Sequence, residues 1–329
     1  MTIQWHINEN CNLRCKHCYQ DAYQNEGFSL NDLILILDKI QLFIENRKEI
    51  SSSVKKAHIN FTGGEPFLKK EIIELLTEVN NRKIFSFGIL SNGFLLNETE
   101  LKSLKELQPK FIQISLDGNR SLNDSIRGNG SFEAIVLALK TYHKLKIPCM
   151  ISFTVNSTNY KTFPEVVSIA RKYKTFKVWT DRYIPENIKD PLILQTNQFK
   201  EFMEIVLHEQ SKTKYHFLSK TKITSNRALQ FLVSGGQPYK CSAADQLLAI
   251  MANGDVMPCR RLPFKMGNIL NQELSEIYNH PIKEKIHCLN SVIKDCELCY
   301  YKKMCNGGLR CLTYAISGDL DNKDPDCWI

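Results

Sequence analysis

The sequence predicts an α/β fold, in which a partial (β/α)6 barrel over residues 1–235 precedes a small cysteine-rich domain over residues 236–329. The first part alternates strand-like and helix-like runs, which is typical of parallel βα units. The composition then changes at a short Gly/Pro stretch, residues 234–238, and most of the twelve cysteines follow it. With 329 residues, the chain is long enough for one large and one small domain.

Six strand–helix units can be placed in order along the first part. The first strand is the clearest, because Ile3, Trp5 and Ile7 alternate and so lie on one face of it. We expect strands at 2–8, 56–61, 83–90, 111–115, 149–155 and 176–184. We expect helices at 30–47, 69–80, 98–107, 132–145 and 163–173, and helical segments near 197–209 and 225–232.

Polar or glycine residues follow all six predicted strands. The loops at the carboxyl ends of the strands build the active site in βα barrels, so we expect these residues to meet at one end of the barrel. In chain order they are residues 11–18, 63–66, 91–93, 115–118, Asn156, and the pair Asp181 and Arg182.

The loop after the first strand carries three cysteines, Cys11, Cys15 and Cys18, in a C-x-x-x-C-x-x-C spacing. An iron–sulfur cube usually takes four cysteine ligands, so three leave one iron open. The alternative is a zinc knuckle completed by His17 or by a further cysteine. His17 adjoins Cys18, which is a poor geometry for both to bind one metal.

With Tyr19 directly behind it, this loop resembles the signature of the radical S-adenosylmethionine (radical SAM) enzymes. The resemblance implies a TIM-like partial barrel of the radical SAM type and a 4Fe–4S cluster on Cys11, Cys15 and Cys18, with S-adenosylmethionine on the open iron. One electron then cleaves the sulfonium, and a 5′-deoxyadenosyl radical abstracts hydrogen from a substrate. An external electron donor of the flavodoxin or ferredoxin type is also implied.

Further motifs extend the resemblance. Residues 63–66 resemble the G-G-E-P motif that binds the methionine ammonium, and residues 91–93 resemble the turn beside the nucleoside. Residues 115–118 resemble S-x-D-G near the ribose and the substrate, and Arg127 matches an arginine that pairs with the methionine carboxylate. The resulting cofactor-binding candidates are Tyr19, Gly63, Gly64, Glu65, Pro66, Ser91, Asn92, Ser115, Arg127 and Asn156.

The catalytic candidates are Asp117, Arg182 and Cys149. Asp117 belongs to the S-x-D-G motif, and Arg182 closes the sixth strand, where a surface ion pair is the alternative. Cys149 opens an apolar strand, so it is either a buried core residue or, as in peptide epimerases of this superfamily, a hydrogen-atom donor.

The C-terminal cysteines resemble the SPASM extension of radical SAM enzymes, which carries auxiliary 4Fe–4S clusters, two of them here. Leu309 stands where the family usually has a cysteine, and we expect Cys311 to substitute for it. The resemblance then implies that three thiolates hold a proximal cluster, with an open iron or with Cys288 as the fourth ligand. A zinc ribbon is the competing interpretation. The implied distal ligands are Cys296, Cys299, Cys305 and Cys327, and the proximal ones are Cys241, Cys259 and Cys311.

Many relatives modify a ribosomally synthesised peptide by a crosslink, a thioether or an epimerisation, so a peptide substrate is expected. Tetrapyrrole, haem or redox-cofactor biosynthesis and sulfatase-type formylglycine maturation remain alternatives, as does a non-catalytic zinc-binding module. Only ten residues precede Cys11, so we expect a separate partner or the barrel itself to read any leader peptide.

The composition narrows the partners and the location. The net charge of +8 suits an acidic peptide or a carboxylate-rich molecule, and no basic block indicates nucleic acid. The longest aliphatic run, residues 33–37, is too short to span a bilayer, and no apolar segment precedes Cys11. We therefore expect a cytoplasmic protein, in which twelve cysteines indicate metal ligands rather than disulfides.

Overall fold

The computed structural model describes residues 1–20, 22–50, 56–94, 98–215, 220–225, 228–287, 293 and 295–329. Ten of its strands form one sheet, in the order β10-β9-β8-β1-β2-β3-β4-β5-β6-β7. The strands are β1 (Thr2–His6), β2 (Ala57–Thr62), β3 (Phe85–Ser91), β4 (Phe111–Ser115), β5 (Cys149–Val155), β6 (Lys177–Arg182), β7 (Lys222–Thr224), β8 (Leu247–Ile250), β9 (Asp255–Met257) and β10 (Gly267–Asn268).

The predicted fold class is confirmed, because β1 to β6 pair in parallel in chain order. Two further parallel strands were not predicted. The short β7 pairs with β6, and β8 pairs with β1 in a register that begins at Thr2 and Leu247. Because β8 lies beyond the predicted boundary at residue 235, the cysteine-rich part continues the sheet of the barrel. The antiparallel strands β9 and β10 extend it further.

The helices connect the strands and cover one face of the sheet. Apolar positions recur at helical spacing, for example in the helix from Ile72 to Asn81, where Ile72, Leu75, Leu76 and Val79 are buried. The helices are α1 (Leu30–Ile50), α2 (Ile72–Asn81), α3 (Glu98–Glu106), α4 (Arg120–Arg127), α5 (Ser131–Leu145), α6 (Phe163–Lys172), α7 (Thr196–Tyr215), α8 (Phe231–Ser234), α9 (Leu274–Tyr278), α10 (Ile282–His287), α11 (Lys302–Cys305) and α12 (Arg310–Ser317).

Alternation along the strands separates a core face from a polar face. Ile3 and Trp5 of β1 and Ile59 of β2 belong to the hydrophobic core against the helices. The residues between them, such as Gln4 and Asn60, are polar and partly exposed. Successive side chains of a strand point to opposite faces, so the face away from the helices is the polar interior of the barrel.

Two parts of the helix prediction need correction. A helix over 225–232 is wrong where the structure describes it, since residues 228–230 form a turn and α8 begins only at Phe231. Helix α4 was not predicted, because it is short and largely polar. It forms because the Asn119 side chain caps it, accepting the Leu122 N–H at 3.2 Å. None of the described helices is long and apolar enough to cross a membrane.

We predict that a fragment of residues 1–235 will not remain monomeric. Its loss of β8 leaves the edge of β1 unpaired, and an open parallel edge is a template for association. Size-exclusion chromatography and thermal unfolding of the fragment beside the full chain test this. A monomeric fragment with a cooperative transition would contradict it and would support an independent barrel domain.

Candidate active site

The three predicted cluster cysteines lie on the loop behind β1, at the carboxyl edge of the sheet. The loop is fixed from outside, because the Lys16 N–H donates to the Ile126 carbonyl of α4 at 2.9 Å. Inside it, the Cys18 N–H donates to the Cys15 carbonyl at 3.0 Å. The three side chains are partly exposed, so a bound group can reach their sulfurs.

The donors around this loop fit an iron–sulfur cube. Asn92 Nδ2 lies 3.9 Å from Cys11 Sγ, and Arg127 Nη1 lies 3.8 Å from Cys15 Sγ. Hydrogen bonds to ligand sulfurs stabilise the thiolate and tune the cluster. Burial raises the pKa of the Cys15 thiol, the Arg127 charge lowers it, and Cys18 raises it further. In the described ranges no three His, Cys, Asp or Glu side chains are arranged for a single metal ion, and a cube is a larger object than an ion.

The two glycines of the G-G-E-P segment approach the chain itself. A Cβ on Gly63 would lie 2.4 Å from the Asn8 carbonyl oxygen, and one on Gly64 would lie 2.2 Å from the Asn10 carbonyl oxygen. The Glu65 N–H donates to that Asn10 oxygen at 2.7 Å. The segment therefore packs directly against the residues that lead into Cys11. The close approach of these glycines is therefore to the backbone that leads into the cluster loop, residues 11–18.

Glu65 is fully buried and links two of the predicted motifs. Its carboxylate accepts the Asn92 N–H at 2.8 Å, the Ser91 hydroxyl at 2.9 Å and the Phe67 N–H at 3.2 Å. Pro66 follows as the first residue of a 3₁₀ turn. Burial raises the pKa of Glu65 to about 7, although these three hydrogen bonds oppose the shift. A cation bound beside this carboxylate would therefore be strongly favoured.

Asp117 is completely buried. It accepts Arg127 Nε at 2.7 Å and the Thr154 N–H at 2.9 Å, and Arg127 Nη2 lies at 2.5 Å. His17 Nε2 of the cluster loop lies 3.2 Å from the same carboxylate. Burial alone would raise the pKa of Asp117, but Arg127 and His17 bring it well below its usual range. In the structure Asp117 thus holds Arg127 and His17 in place, and its catalytic role stays a prediction.

Arg127 connects this carboxylate to the cluster loop. Its guanidinium joins Asp117 to Cys15, and its Nη2 lies 3.3 Å from His17 Nε2. His17 was expected only as an alternative zinc ligand, whereas the structure places its Nε2 beside Asp117 and Arg127. Its contact with Asp117 joins residues that are far apart in the sequence, so no local sequence pattern could have predicted it.

The remaining candidates at the strand ends differ in exposure and in their hydrogen-bond partners. Ser115 ends β4 and is partly exposed. Asn156 is buried, its Oδ1 accepts the Thr158 N–H at 2.9 Å, and its Nδ2 has no hydrogen-bond partner among the described residues. Tyr19 is 41% exposed, and its carbonyl accepts Arg260 Nη2 at 2.7 Å. The Arg260 guanidinium also lies 4.4 Å from the centre of the Tyr19 ring.

Cys149 lies at the opposite edge of the sheet from these loops. It is the first residue of β5, whose last residue, Val155, is at the carboxyl edge. Six residues of extended chain separate the two edges by about 20 Å. Cys149 is buried in the core, and burial raises its thiol pKa strongly. Its place suits the core residue of the two interpretations, not the hydrogen-atom donor.

Arg182 is not free for catalysis either. Only 2% exposed, it donates through Nη1 to Asp324 Oδ1 at 2.8 Å and to Asp326 Oδ2 at 2.7 Å, and through Nη2 to Asp324 Oδ2 at 2.7 Å. Asp324 and Asp326 immediately precede Cys327. The predicted catalytic arginine therefore holds the C-terminal segment against the end of β6. The preceding residue, Asp181, forms an ion pair with Arg261 in the cysteine-rich part.

The structure brings the C-terminal cysteines together in the two predicted groups. Cys296, Cys299, Cys305 and Cys327 line one pocket. Cys241, Cys259 and Cys311 form the second group, and their thiol charges act on one another. Burial raises the pKa of Cys259 to about 11 and that of Cys311 to about 12. Such thiols become thiolates most readily when a metal or cluster takes up their charge.

Cys288, the suggested fourth proximal ligand, lies outside the described residues. Its neighbour His287 is described. His287 Nε2 lies 2.7 Å from the carbonyl oxygen of Ala243, two residues after Cys241.

An open cavity of about 250 Å³ lies beside the cluster loop. Tyr183 borders both, since its ring centre lies 6.4 Å from that of His17. Most of the other lining side chains are apolar, and Arg182, already held by two carboxylates, is the one cation among the described residues that line it. The lining residues are Arg182, Tyr183, Ile188, Ile193, Leu194, Gln195, Thr196, Leu312, Ile316, Pro325 and Asp326.

Comparison with known proteins agrees with this arrangement of a cysteine loop at the barrel mouth and two further cysteine groups in the C-terminal part. The family model of the Radical SAM superfamily matches residues 5–170, and that of the SPASM iron-sulfur cluster-binding domain matches residues 241–306. The chain belongs to the radical SAM superfamily and is a radical SAM enzyme with a SPASM domain. This family membership sets aside the zinc-binding module.

The relatives perform different reactions. Fe-coproporphyrin III synthase of Methanosarcina barkeri is 22% identical over 99% of this chain and 87% of the relative. PqqA peptide cyclase of Gluconobacter oxydans is 25% identical over 99% of this chain and 90% of the relative. The fold of Streptococcus suis SuiB bound to S-adenosylmethionine superposes with a TM-score of 0.78 at 18% identity, over 100% of this chain and 77% of SuiB. The structure of SuiB bound to its precursor peptide SuiA superposes with a TM-score of 0.77 at 17% identity, over 100% of this chain and 76% of SuiB.

We predict that Arg182→Met destabilises the protein by about 3–5 kcal/mol, because it leaves two buried carboxylates without their cation. Urea unfolding of the anaerobically purified protein measures this. Arg120→Met is the matched control, because the Arg120–Glu133 pair is exposed and should change stability by less than about 1 kcal/mol. If both variants lost the same free energy of unfolding, the buried ion pairs of Arg182 would not contribute to stability as proposed.

A second prediction concerns pH. The folded-state pKa of Glu65, about 7, lies above the ordinary 4.5, so the folded protein binds this proton more tightly than the unfolded chain. The resulting stabilisation, on the order of 3 kcal/mol, is fully present below about pH 4.5 and is lost as the pH rises towards 7. In protein free of S-adenosylmethionine, the thermal midpoint of the wild type minus that of Glu65→Gln should therefore fall between about pH 5 and pH 8.

The control for this pH series is Glu106→Gln, at an exposed carboxylate on α3. Its difference from the wild type should remain flat over the same range. A flat difference for Glu65→Gln as well would show that Glu65 titrates normally in the folded protein.

Proposed function

We propose that this chain is a radical SAM/SPASM enzyme that modifies a ribosomally synthesised peptide, with two auxiliary 4Fe–4S clusters in its C-terminal part. The cluster and S-adenosylmethionine, when bound, supply a 5′-deoxyadenosyl radical that takes hydrogen from an unactivated C–H bond. An external one-electron donor supplies the reducing electron. The bond formed in the peptide is left open among a crosslink, a thioether and an epimerisation.

The residues of the chain act as holders and positioners in this proposal. Cys11, Cys15 and Cys18 hold the first cluster, and Arg127, itself anchored by Asp117, keeps Cys15 in place. The buried carboxylate of Glu65 favours the ammonium of the methionine moiety. Asn156 offers a buried amide donor at the end of β5.

The proposal of a peptide substrate rests on the cavity beside the cluster loop. Its volume of about 250 Å³ lies somewhat below the usual range of drug-sized ligand sites, about 300–1,000 Å³, and suits a few side chains of a peptide. Ile188, Ile193 and Leu312 offer apolar contacts that suit peptide side chains. A tetrapyrrole carries several carboxylates that need free cations, whereas Arg182 is already paired with Asp324 and Asp326. PqqA peptide cyclase, a relative over nearly the whole chain, has a peptide in its name.

A tetrapyrrole substrate is the second candidate. Fe-coproporphyrin III synthase also matches nearly the whole chain, and the net charge of +8 suits carboxylate groups. The two candidates differ in what the enzyme consumes when both are offered.

We predict that the anaerobically reconstituted enzyme, given dithionite and S-adenosylmethionine, releases 5′-deoxyadenosine and changes the mass or stereochemistry of the right peptide. The probe is the synthetic product of a short reading frame beside the gene, and an iron coproporphyrin is the parallel probe. Peptide modification in step with deoxyadenosine release supports the proposal. Turnover of the porphyrin alone favours the second candidate.

Cys15→Ala is the control for the first cluster. It should abolish deoxyadenosine formation, because the cube loses one of its three thiolates. Full activity in this variant would refute the assignment of the cluster loop.

A further inference from the structure

The ion pair between Asp181 and Arg261 lies beside the proximal cysteine group. Arg261 follows Cys259 by two residues, and its guanidinium pairs with Asp181 at the end of β6. The Asp181 side chain is buried, and that of Arg261 is mostly buried. The pair thus places one positive and one negative charge, both poorly solvated, at the point where the barrel meets the Cys259 loop.

Both charges act on the proximal sulfurs, with opposite sign. Burial is the main cause that raises the pKa of Cys311, Arg261 lowers it, and Asp181 raises it. The backbone N–H of Leu262, next to Arg261, donates to the Cys259 carbonyl at 3.3 Å. The ion pair therefore adjoins the loop of Cys259 and lies close enough to Cys311 for both charges to act on that sulfur.

Reduction of an iron–sulfur cluster adds one negative charge to it. Its potential depends on the net charge nearby, on hydrogen bonds to its sulfurs and on solvent exposure. A cation nearby stabilises the reduced cluster and raises the potential, and an anion lowers it. Poor solvation strengthens both effects, because the charges are weakly screened.

We propose that the Arg261–Asp181 ion pair sets the reduction potential of the cluster held by Cys241, Cys259 and Cys311. Arg261 raises the potential, and Asp181 is a positioning residue that holds Arg261 in place and cancels part of its charge. This inference rests on the auxiliary cluster of the proposed function. It assigns to the end of β6 an electrostatic role in addition to its role in docking the C-terminal part.

The ion pairs of the neighbouring residue, Arg182, lie beside the distal cysteine group instead. Arg182 meets two carboxylates, Asp324 and Asp326, and lies by the segment that leads to Cys327 of the distal group. The two adjacent residues of β6 thus face different cysteine groups. The distal cluster can serve as an internal reference when Asp181 or Arg261 is changed.

The test is a redox titration followed by electron paramagnetic resonance. The protein carries Cys11→Ala, Cys15→Ala and Cys18→Ala, so that only the auxiliary clusters contribute to the paramagnetic resonance signal. Cys259→Ala and Cys299→Ala, each added to this background, identify the proximal and distal signals. Arg261→Gln, Asp181→Asn and Arg261→Lys are then compared in the same background, with iron and sulfide measured in each.

Arg261→Gln should lower the proximal potential, and Asp181→Asn should raise it. Each should change the ratio of reduced to oxidised cluster at fixed solution potential by about tenfold, or 59 mV for one electron. Arg261→Lys keeps the charge and should stay closer to the parent than Arg261→Gln. The matched control is Arg171→Gln, which breaks a largely buried ion pair with Glu209 between α6 and α7 and should leave both potentials unchanged.

Opposite shifts from the two partners of one ion pair cannot arise from a shared loss of structure. Shifts in the same direction, shifts no larger than in Arg171→Gln, or loss of the proximal cluster in either neutral variant would overturn the proposal. Absence of any proximal signal from the parent protein would overturn it together with the auxiliary cluster. Deoxyadenosine release by the protein with all its cysteines tests the first cluster separately.

Discussion

Two adjacent charges at the carboxyl end of β6, Asp181 and Arg182, constrain the assembly of the whole molecule. Both are buried, and among the described residues Asp181 pairs with Arg261 and Arg182 with Asp324 and Asp326, which lie at least 80 positions away in the cysteine-rich part. Leaving one partner of a buried ion pair unpaired costs several kcal/mol. Misplacing the C-terminal part would therefore leave at least three charges without compensation. Opposite signs at neighbouring positions also prevent the two partner segments from exchanging places.

The cluster loop depends on a second network of the same kind. Asp117 gathers Arg127, His17 and the Thr154 N–H, so one buried carboxylate joins β4, α4, β5 and the loop behind β1. The paired glycines 63 and 64 add a steric requirement, because any side chain there would displace the backbone before Cys11. The loop with the three cysteines is therefore held from two sides by neighbouring strand ends.

The sequence was informative where a pattern is local and failed where a partner is distant. Strands β4 and β5 were predicted with their observed bounds, because most residues of each are apolar and turn residues flank both strands. Strand β8 has only four residues, and β1 supplies its place in the sheet, which no local pattern reveals. The cysteine groups followed from family spacing. The roles of Asp117 and Arg182 did not, because a motif gives a position but not the charge that a side chain meets across the fold.

The shared sheet and the charged end of β6 together determine where the cysteine groups lie relative to one another. The Cys11 loop follows β1, and β8, which leads towards Cys259, pairs directly with β1. Tyr19, next to Cys18, contacts Arg260, next to Cys259. Both cysteine loops therefore extend from neighbouring strands and touch through residues adjacent to their ligands. Because a hydrogen-bonded sheet tolerates little sliding, the separation of the two sites is a property of strand register, and the ion pairs of β6 fix the remaining orientation.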